Sequence, residues 1–200
     1  AAVSPRDDLQ ITLHSEGFAP IRVDLNNLSP VKEEQGTPAS IIRGIAARMQ
    51  EMGCMVRGFD GTATSNVLSG SGLSSSAAFE VLICAIFDAL YNGMKVDPIE
   101  RAKIAQYAEN VYFGKPCGLM DQMASSVGGM VTIDFKEKDA KVEAIACDFA
   151  AKGYALCVVN PGGDHGDLTD DYAAIRKEME AVAAHFGKHV LREVEPETVE

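Results

Sequence analysis

Two short stretches of the sequence combine glycine, hydroxyl and carboxylate residues in arrangements that suit phosphate chemistry. The first, GSGLSSS at residues 70–76, leads directly into the apolar run AAFEVLICAIFDAL. Glycine lets the backbone approach a ligand closely, and the start of a helix carries unsatisfied N–H groups with partial positive charge. The stretch therefore predicts an anion site, and a serine N-cap after a flexible turn is the alternative interpretation.

The glycine-serine stretch matches neither of the two common nucleotide-binding motifs. No Lys-Ser or Lys-Thr follows the glycines, as a Walker A loop requires, and Ser75 stands where a dinucleotide fingerprint has its third glycine. Spacing alone indicates an anion and leaves the ligand open.

The second stretch, AENVYFGKPCGLMDQMASSVGGM at residues 108–130, contains two carboxylates around a glycine-flanked turn. Glu109 lies near the end of a predicted helix, and Asp121 opens the next short segment. In isolation a helix cap is the favoured interpretation of Asp121, and a solvated acid at a helix end is the alternative interpretation of Glu109.

Taken together, these stretches resemble the galactokinases of the GHMP small-molecule kinase superfamily. GSGLSSSAAFEV resembles the phosphate-binding motif of that family, and PCGLMDQ resembles the segment that carries its catalytic aspartate. A third stretch, DHGDLTDDYAAIRKEM at residues 164–179, resembles the region that supplies a sugar-facing tyrosine. The resemblance extends over essentially the whole chain.

The resemblance implies a role for each matched residue. Asp121 would be the catalytic residue facing the anomeric hydroxyl of galactose, and Gly118 and Tyr172 would help it to hold the sugar ring. Ser76 and Glu109 would be the ligands of a Mg²⁺ ion. The residues that would surround the ATP phosphates are Gly70, Ser71, Gly72, Leu73, Ser74, Ser75 and Ser76.

The activity that the resemblance implies is ATP-dependent phosphorylation of galactose at its anomeric hydroxyl, which gives galactose 1-phosphate. Two alternatives stay open. One is a kinase for another sugar, such as N-acetylgalactosamine, and the other is a catalytically silent galactokinase-like sensor of sugar and ATP. Three residues also have purely structural interpretations. These are a helix-packing aromatic for Tyr172, a small buried residue for Cys117 and a loop hydrogen-bonder for His165.

The sequence departs from the family pattern in three places. A segment resembling GRxNxIGEHTDH, which brings an arginine to the catalytic aspartate, does not occur, and neither does the glycine-rich third motif. Leu68 stands where the family usually has a proline before the first glycine. We therefore expect the chain to be a central fragment that is inactive alone.

Composition narrows the class of partner. The chain has 200 residues, 46% of them hydrophobic, and a net charge of -11, which argues against nucleic acid or an anionic membrane surface as a partner. Its five cysteines are odd in number and never in CxxC spacing, which predicts reduced thiols in a cytoplasmic protein. No apolar run is predicted to span a membrane.

Hydrophobic periodicity predicts an α+β fold with hairpins, one of them formed by residues 9–14 and 21–25. The resemblance implies that this fold is of the GHMP kinase N-terminal type, with a mixed sheet and packed helices. The resemblance divides it into a nucleotide-binding domain at 1–160, incomplete at its N-terminus, and the truncated beginning of a C-terminal domain at 161–200. The predicted strands are 9–14, 21–25, 57–67, 130–135, 142–147 and 154–160. The predicted helices are 39–53, one beginning at Ser75, one beginning after Asp97 and ending near 114, and one from about Thr169 to Phe186.

Overall fold

The computed structural model describes residues 1–67, 72–137, 139–159 and 169–198, except for the side chains of Thr169, Asp170 and Tyr172. The chain divides into two compact units, Ala1–Val127 and Gly128–Glu200. The domain boundary expected at residue 160 stays a prediction.

The first unit contains a mixed sheet of four strands in the order β1-β4-β2-β3. Strands β2 and β4 are parallel, and the other neighbours are antiparallel. The predicted hairpin is confirmed, because Gln10 pairs with Asp24 and Leu13 with Ile21. The sheet strands are β1 (Ala2–Pro5), β2 (Gln10–Ser15), β3 (Ile21–Asp24) and β4 (Phe59–Ala63).

Three of the four α-helices described in the first unit lie where the sequence predicts them, and the fourth, Met120–Val127, was not predicted. Asp97 caps the third helix by accepting a hydrogen bond from the Ile99 N–H at 2.8 Å, and Pro98 occupies its first turn, as the sequence predicts. The helices are α1 (Pro38–Glu51), α2 (Ser75–Phe87), α3 (Pro98–Tyr107) and α4 (Met120–Val127).

Two of these helices end in a wider, π-helical turn. The first runs over Asp88–Asn92 after α2, and the second runs over Ala108–Phe113 after α3. Each finishes at a glycine in the left-handed region, Gly93 or Gly114. Turns of this kind are frequent at functional sites, and the second contains Glu109, a predicted Mg²⁺ ligand.

The core of the first unit lies between the sheet and helices α1, α2 and α3. Ile11 and Leu13 from β2 alternate with exposed or half-buried residues, so one face of the sheet is buried. Phe59 of β4 meets Phe87 of α2 edge-to-face, with ring centroids 5.6 Å apart. This core fixes the direction of α2, which carries the glycine-serine stretch at its beginning.

Helix α2 and the turn after it, Ser75–Asn92, are long and apolar enough to cross a membrane by length and composition. The sequence predicts no membrane-spanning run, and by length and composition alone this segment departs from that prediction. It contains two fully buried acids, Glu80 and Asp88, and it packs against other helices of the unit. These contacts are typical of a helix in a protein core.

The second unit contains a hairpin of β5 (Met130–Asp134) and β6 (Lys141–Ile145), and the helix α5 (Thr169–His185). All three were predicted. The strand predicted at 154–160 is wrong over its described residues, 154–159, which form no β-ladder. An apolar alternation specifies a strand only when a partner edge is available to pair with its backbone, and no described strand supplies one.

Candidate active site

The described part of the glycine-serine stretch, residues 72–76, forms a turn that leads into α2. Gly70 and Ser71 lie outside the described residues. Gly72 has a φ of 73°, and Ser74, which precedes the helix, has a φ of 59° and a ψ of 45°. Left-handed backbone is unfavourable for a residue with a Cβ, so the turn holds Ser74 in a strained conformation.

Ser74 is the N-cap residue of α2 and makes no side-chain capping hydrogen bond. The N-cap interpretation of the stretch therefore has no hydrogen bond from Ser74 to support it. Leu73 and Ser76 are exposed, and Ser75 is half-buried. The first residues of α2 are thus exposed or half-buried, at the end of a helix where an anion is favoured.

Ser76 and Glu80 are one turn apart on α2, and this spacing places them on the same face of the helix. Ser76 is exposed, whereas Glu80 is fully buried. One helical face therefore leads from an exposed hydroxyl at the loop to a carboxylate in the interior.

Glu109 lies in the π-helical turn after α3 and is 4% exposed. The turn is held from both sides. The Tyr112 hydroxyl donates to the Leu28 carbonyl at 2.7 Å, and Gly44 of α1 leaves the space that the Tyr112 ring fills, because a Cβ there would lie 2.8 Å from the ring. This packing fixes the backbone that carries Glu109.

Three buried side chains meet in the first unit: Glu80, Glu109 and Gln122. The Gln122 side-chain amide donates to Glu80 Oε2 at 3.0 Å and to Glu109 Oε2 at 2.9 Å. We call this group the buried triplet. It joins α2, the π-helical turn and α4, which are distant in sequence.

Burial, followed by the charge of Glu109, raises the pKa of Glu80 to about 8. Its carboxyl is therefore largely protonated at neutral pH, when no ligand is bound. Two buried acids share one amide here, and only one of them needs to carry a charge.

Cys117 borders the buried triplet and contributes a thiol. Burial and a hydrogen bond to Glu109 raise the pKa of this thiol, so it stays protonated and is unsuited to act as a nucleophile. Its backbone is fixed by Asn110 Oδ1, which accepts from the Cys117 N–H at 2.7 Å. The simple interpretation of Cys117 as a small, partly buried residue agrees with this geometry.

Asp121 is exposed on the first turn of α4, next in sequence to the buried Gln122. Gly118 is exposed in the turn before α4, and nothing lies within 4 Å of a Cβ built on it. Tyr172 falls in α5, with its side chain outside the described part of the structure, and His165 lies outside the described residues altogether. The structure thus brings Glu109 and the helix of Asp121 together, in the first unit.

The oxygen donors at this site suit a hard cation. Within the described residues, no group of three or more His, Cys, Asp or Glu side chains is arranged to hold a metal ion. Mg²⁺ commonly takes only one or two ligands from the protein and the rest from phosphates and water. The hydroxyl of Ser76 and the carboxylate of Glu109 fit that donor chemistry.

Glu80 and Gln122 are the two site residues that the sequence analysis did not identify. Glu80 is the single charged residue inside the apolar run AAFEVLICAIF, and that isolation was the available signal. Gln122 is visible only as the neighbour of Asp121, and its contacts depend on tertiary structure.

Comparison with known proteins gives the family. The family model for the GHMP kinases N terminal domain matches residues 40–129, a range that includes α2, Glu109, Asp121 and Gln122. A galactokinase from Streptomyces coelicolor is 35% identical over 199 residues, covering 97% of this chain and 50% of its own length. A galactokinase from Glaesserella parasuis is 33% identical over 186 residues, covering 88% of this chain and 47% of its own length.

The chain belongs to the GHMP kinases. Its α+β fold agrees with that of a solved Lactococcus lactis galactokinase complexed with galactose, with a TM-score of 0.75 at 21% identity over 98% of this chain and 52% of that one. The predicted family and fold class are therefore confirmed. This GHMP kinase chain spans about half the length of the curated relatives that it matches.

Proposed function

We propose that the protein containing this chain phosphorylates galactose at the anomeric hydroxyl, with ATP as the donor and galactose 1-phosphate and ADP as products. The observation that carries the proposal is the direct link between Glu109 and the helix of Asp121, made by the Gln122 amide at 2.9 Å from Glu109 Oε2. The similarity to galactokinases at 33–35% identity supports galactose as the acceptor.

The start of α2 would bind the phosphates of ATP. The N–H groups at its beginning, the absence of a side-chain cap from Ser74 and the positive φ of Gly72 all favour an anion that lies close to the backbone. Gly70 and Ser71 complete the proposed loop in sequence.

Ser76 and Glu109 would hold Mg²⁺, which when bound neutralises charge on the phosphate oxygens. The buried position of Glu109 keeps its carboxylate in one conformation, because the backbone turn and the Gln122 amide both restrain it. A restrained ligand needs little reorganisation when a cation binds.

Asp121 would orient the sugar hydroxyl and accept its proton. The hydroxyl oxygen forms a bond to the γ-phosphorus as the bond from that phosphorus to the bridging oxygen of ADP breaks. The proton moves from the sugar oxygen to the Asp121 carboxylate. Exposure of Asp121 at the start of α4 leaves it accessible to a sugar, which Gly118 and Tyr172 would help to bind.

The proposed location is the cytoplasm. All five cysteines are free, which suits a reducing compartment. The net charge of -11 supports small molecules, rather than nucleic acid or an anionic membrane surface, as the binding partners.

The test is ADP release by the complete gene product with galactose, with N-acetylgalactosamine and without sugar. Release with galactose alone is expected. Release with N-acetylgalactosamine alone would reassign the acceptor, and binding of Mg·ATP and galactose without ADP release would favour the sensor.

Replacing the proposed catalytic carboxylate by an amide tests the assignment of Asp121. In Asp121→Asn we expect kcat to fall by about 100- to 10,000-fold, because proton acceptance is lost, with ATP affinity nearly unchanged. Asp7→Asn, at an exposed aspartate between β1 and β2, is the matched control. A large loss of ATP binding in Asp121→Asn, or an unchanged kcat, would contradict the assignment.

A further inference from the structure

Gln122 occupies an unusual position between the exposed and the buried carboxylates of the site. Its side chain is buried, and one amide nitrogen serves both Glu80 and Glu109. The preceding residue, Asp121, points to solvent on the same short helix. The proposed catalytic residue, Asp121, is therefore next in the chain to Gln122, whose side-chain amide holds the proposed metal ligand, Glu109.

The buried triplet is poorly suited to a purely structural role. Glu80 Oε1 and Gln122 Oε1 are buried and make no hydrogen bond within the described part of the chain. Buried polar atoms without partners are costly, and apolar side chains of similar size commonly fill such space at equal or better stability. The next residue, Met123, is fully buried and shows that α4 presents an apolar side chain to the core at the adjacent position.

The hydrogen-bond direction also identifies what Gln122 does. Its amide nitrogen can only donate, and both partners are side-chain oxygens of glutamates, which can accept. Glu109 therefore has one of its oxygens held from α4, while its backbone is held by the packing of Tyr112 against Gly44. Rotation of the carboxylate away from its position would break the bond to Gln122.

We propose that Gln122 is a positioning residue that fixes the Glu109 carboxylate relative to the helix carrying Asp121, with Glu80 as the anchor for the other side of its amide. The proposal rests on the proposed function, because it takes Glu109 as a Mg²⁺ ligand. Groups that hydrogen-bond to metal ligands typically contribute about 10- to 100-fold to metal affinity.

The test compares Gln122→Met with Gln106→Met in the complete gene product. Methionine keeps the length of the side chain and removes the amide. Gln106 is a matched control because it is a half-buried amide that donates to the Cys117 carbonyl at 3.2 Å and not to Glu109. The readout is the Mg²⁺ concentration that gives half-maximal ATP binding, measured by calorimetric titration, alongside thermal unfolding without metal.

In Gln122→Met we expect the Mg²⁺ midpoint to rise by about 10- to 100-fold, towards that of Glu109→Gln, and kcat to fall while the KM for sugar stays constant. Gln106→Met should leave the midpoint unchanged. A lower unfolding temperature in Gln122→Met with an unchanged Mg²⁺ midpoint would overturn the proposal, because that is the result of a structural role alone.

A second variant, Gln122→Asn, tests the same role of Gln122 if Gln122→Met does not fold. Gln122→Asn retains the amide but shortens the side chain by one methylene, so the midpoint should shift in the same direction by a smaller factor. An unchanged midpoint in Gln122→Asn would overturn the proposal.

The binding measurement separates this proposal from the proposed function. If the wild-type protein binds Mg·ATP but transfers no phosphate to sugar, the proposed function fails, and the binding midpoints still decide the role of Gln122. If the wild type phosphorylates galactose and Gln122→Met has the wild-type midpoint, only the Gln122 proposal fails.

Discussion

The first unit contains two groups in which one nitrogen-bearing side chain bridges two acids, one group buried and the other exposed. In the buried triplet the bridge is the neutral amide of Gln122, between Glu80 and Glu109. At the surface the bridge is the guanidinium of Arg6, which donates to Asp8 at 2.6 Å and to Asp60 at 2.9 Å. We call the second group the surface triplet.

The difference between the two groups lies in where their charge is balanced. In the surface triplet a cation faces two anions, and water screens all three side chains. The group therefore has little effect on the stability of the fold, and its charges are balanced without a bound ligand. In the buried triplet the bridging group brings no charge, and two acids are removed from water. Proteins retain such an arrangement mainly at functional sites, where it is costly but useful.

The largest effect on stability is expected from Glu80→Gln, which tests whether the buried carboxyl of Glu80 lowers the stability of the fold when it becomes charged. Because the pKa of Glu80 is raised to about 8 in the folded chain, the folded state holds this proton more tightly than the unfolded state does. Wild-type stability therefore falls as the pH rises from the ordinary glutamate range to about 8. The variant lacks this loss, so its free energy of unfolding relative to wild type should rise across that window and then level.

Urea denaturation at pH 5 and pH 9, in buffer with a chelator, measures this difference. Glu33→Gln, at an exposed glutamate, controls for replacing a carboxyl by an amide. If the difference in the free energy of unfolding between Glu80→Gln and wild type is the same at both pH values, burying the charge of Glu80 costs no stability. That result would contradict the contrast drawn between the buried and the surface triplet.

A smaller effect is expected from Arg6→Ala, which removes the bridge of the surface triplet. Both ion pairs are lost together, but each acid is about half exposed and regains water, so the loss of stability should be slight. Melting temperatures in low salt and in high salt measure it, and the difference from wild type should shrink as salt is added. Arg57→Ala, at an exposed arginine before β4, is the control. A loss that is large and independent of salt would contradict the assignment of this group to the screened surface.

The smallest effect on stability is expected from Asp8→Asn, which tests the lowered pKa of Asp8 in the surface triplet against the raised pKa of Glu80 in the buried triplet. The hydrogen bond from Arg6, followed by that from the Gln10 N–H, lowers the pKa of Asp8 to about 2. Its stabilising contribution is therefore present above the ordinary aspartate pKa and is lost as the pH falls to about 2. Denaturation at pH 7 should show a slight deficit in the variant that disappears near pH 2, and a deficit that persists there would contradict this origin.

Local signals in the sequence were sufficient for most elements of the fold. The start of α3 after Asp97 and the hairpin of β2 and β3 depend on neighbouring residues, and both were predicted. Strand β1 and the parallel pairing of β2 with β4 were not, because Ile11 and Phe59 are brought together only by the intervening helix.

The candidate site was predictable in its motifs and not in its interior. Glu109 and Asp121 were found because the stretches around them resemble the GHMP kinases. Glu80 is surrounded by apolar residues, and a hydrophobic pattern alone treats its helix as uniform core. Its contact with Gln122 depends on how α2 packs against α4, and neither helix specifies that packing by itself.

The wide turn over Ala108–Phe113 has a consequence for alignment and redesign. In this turn the Gly114 N–H donates to the carbonyl of Glu109, five residues earlier, so the segment holds one residue more than a regular helical turn. Removing one residue would let a regular helical turn close there and would change which residue occupies the position of Glu109. A gap placed there can therefore look harmless, because the segment stays helical, although it changes which residue takes the place of a buried acid.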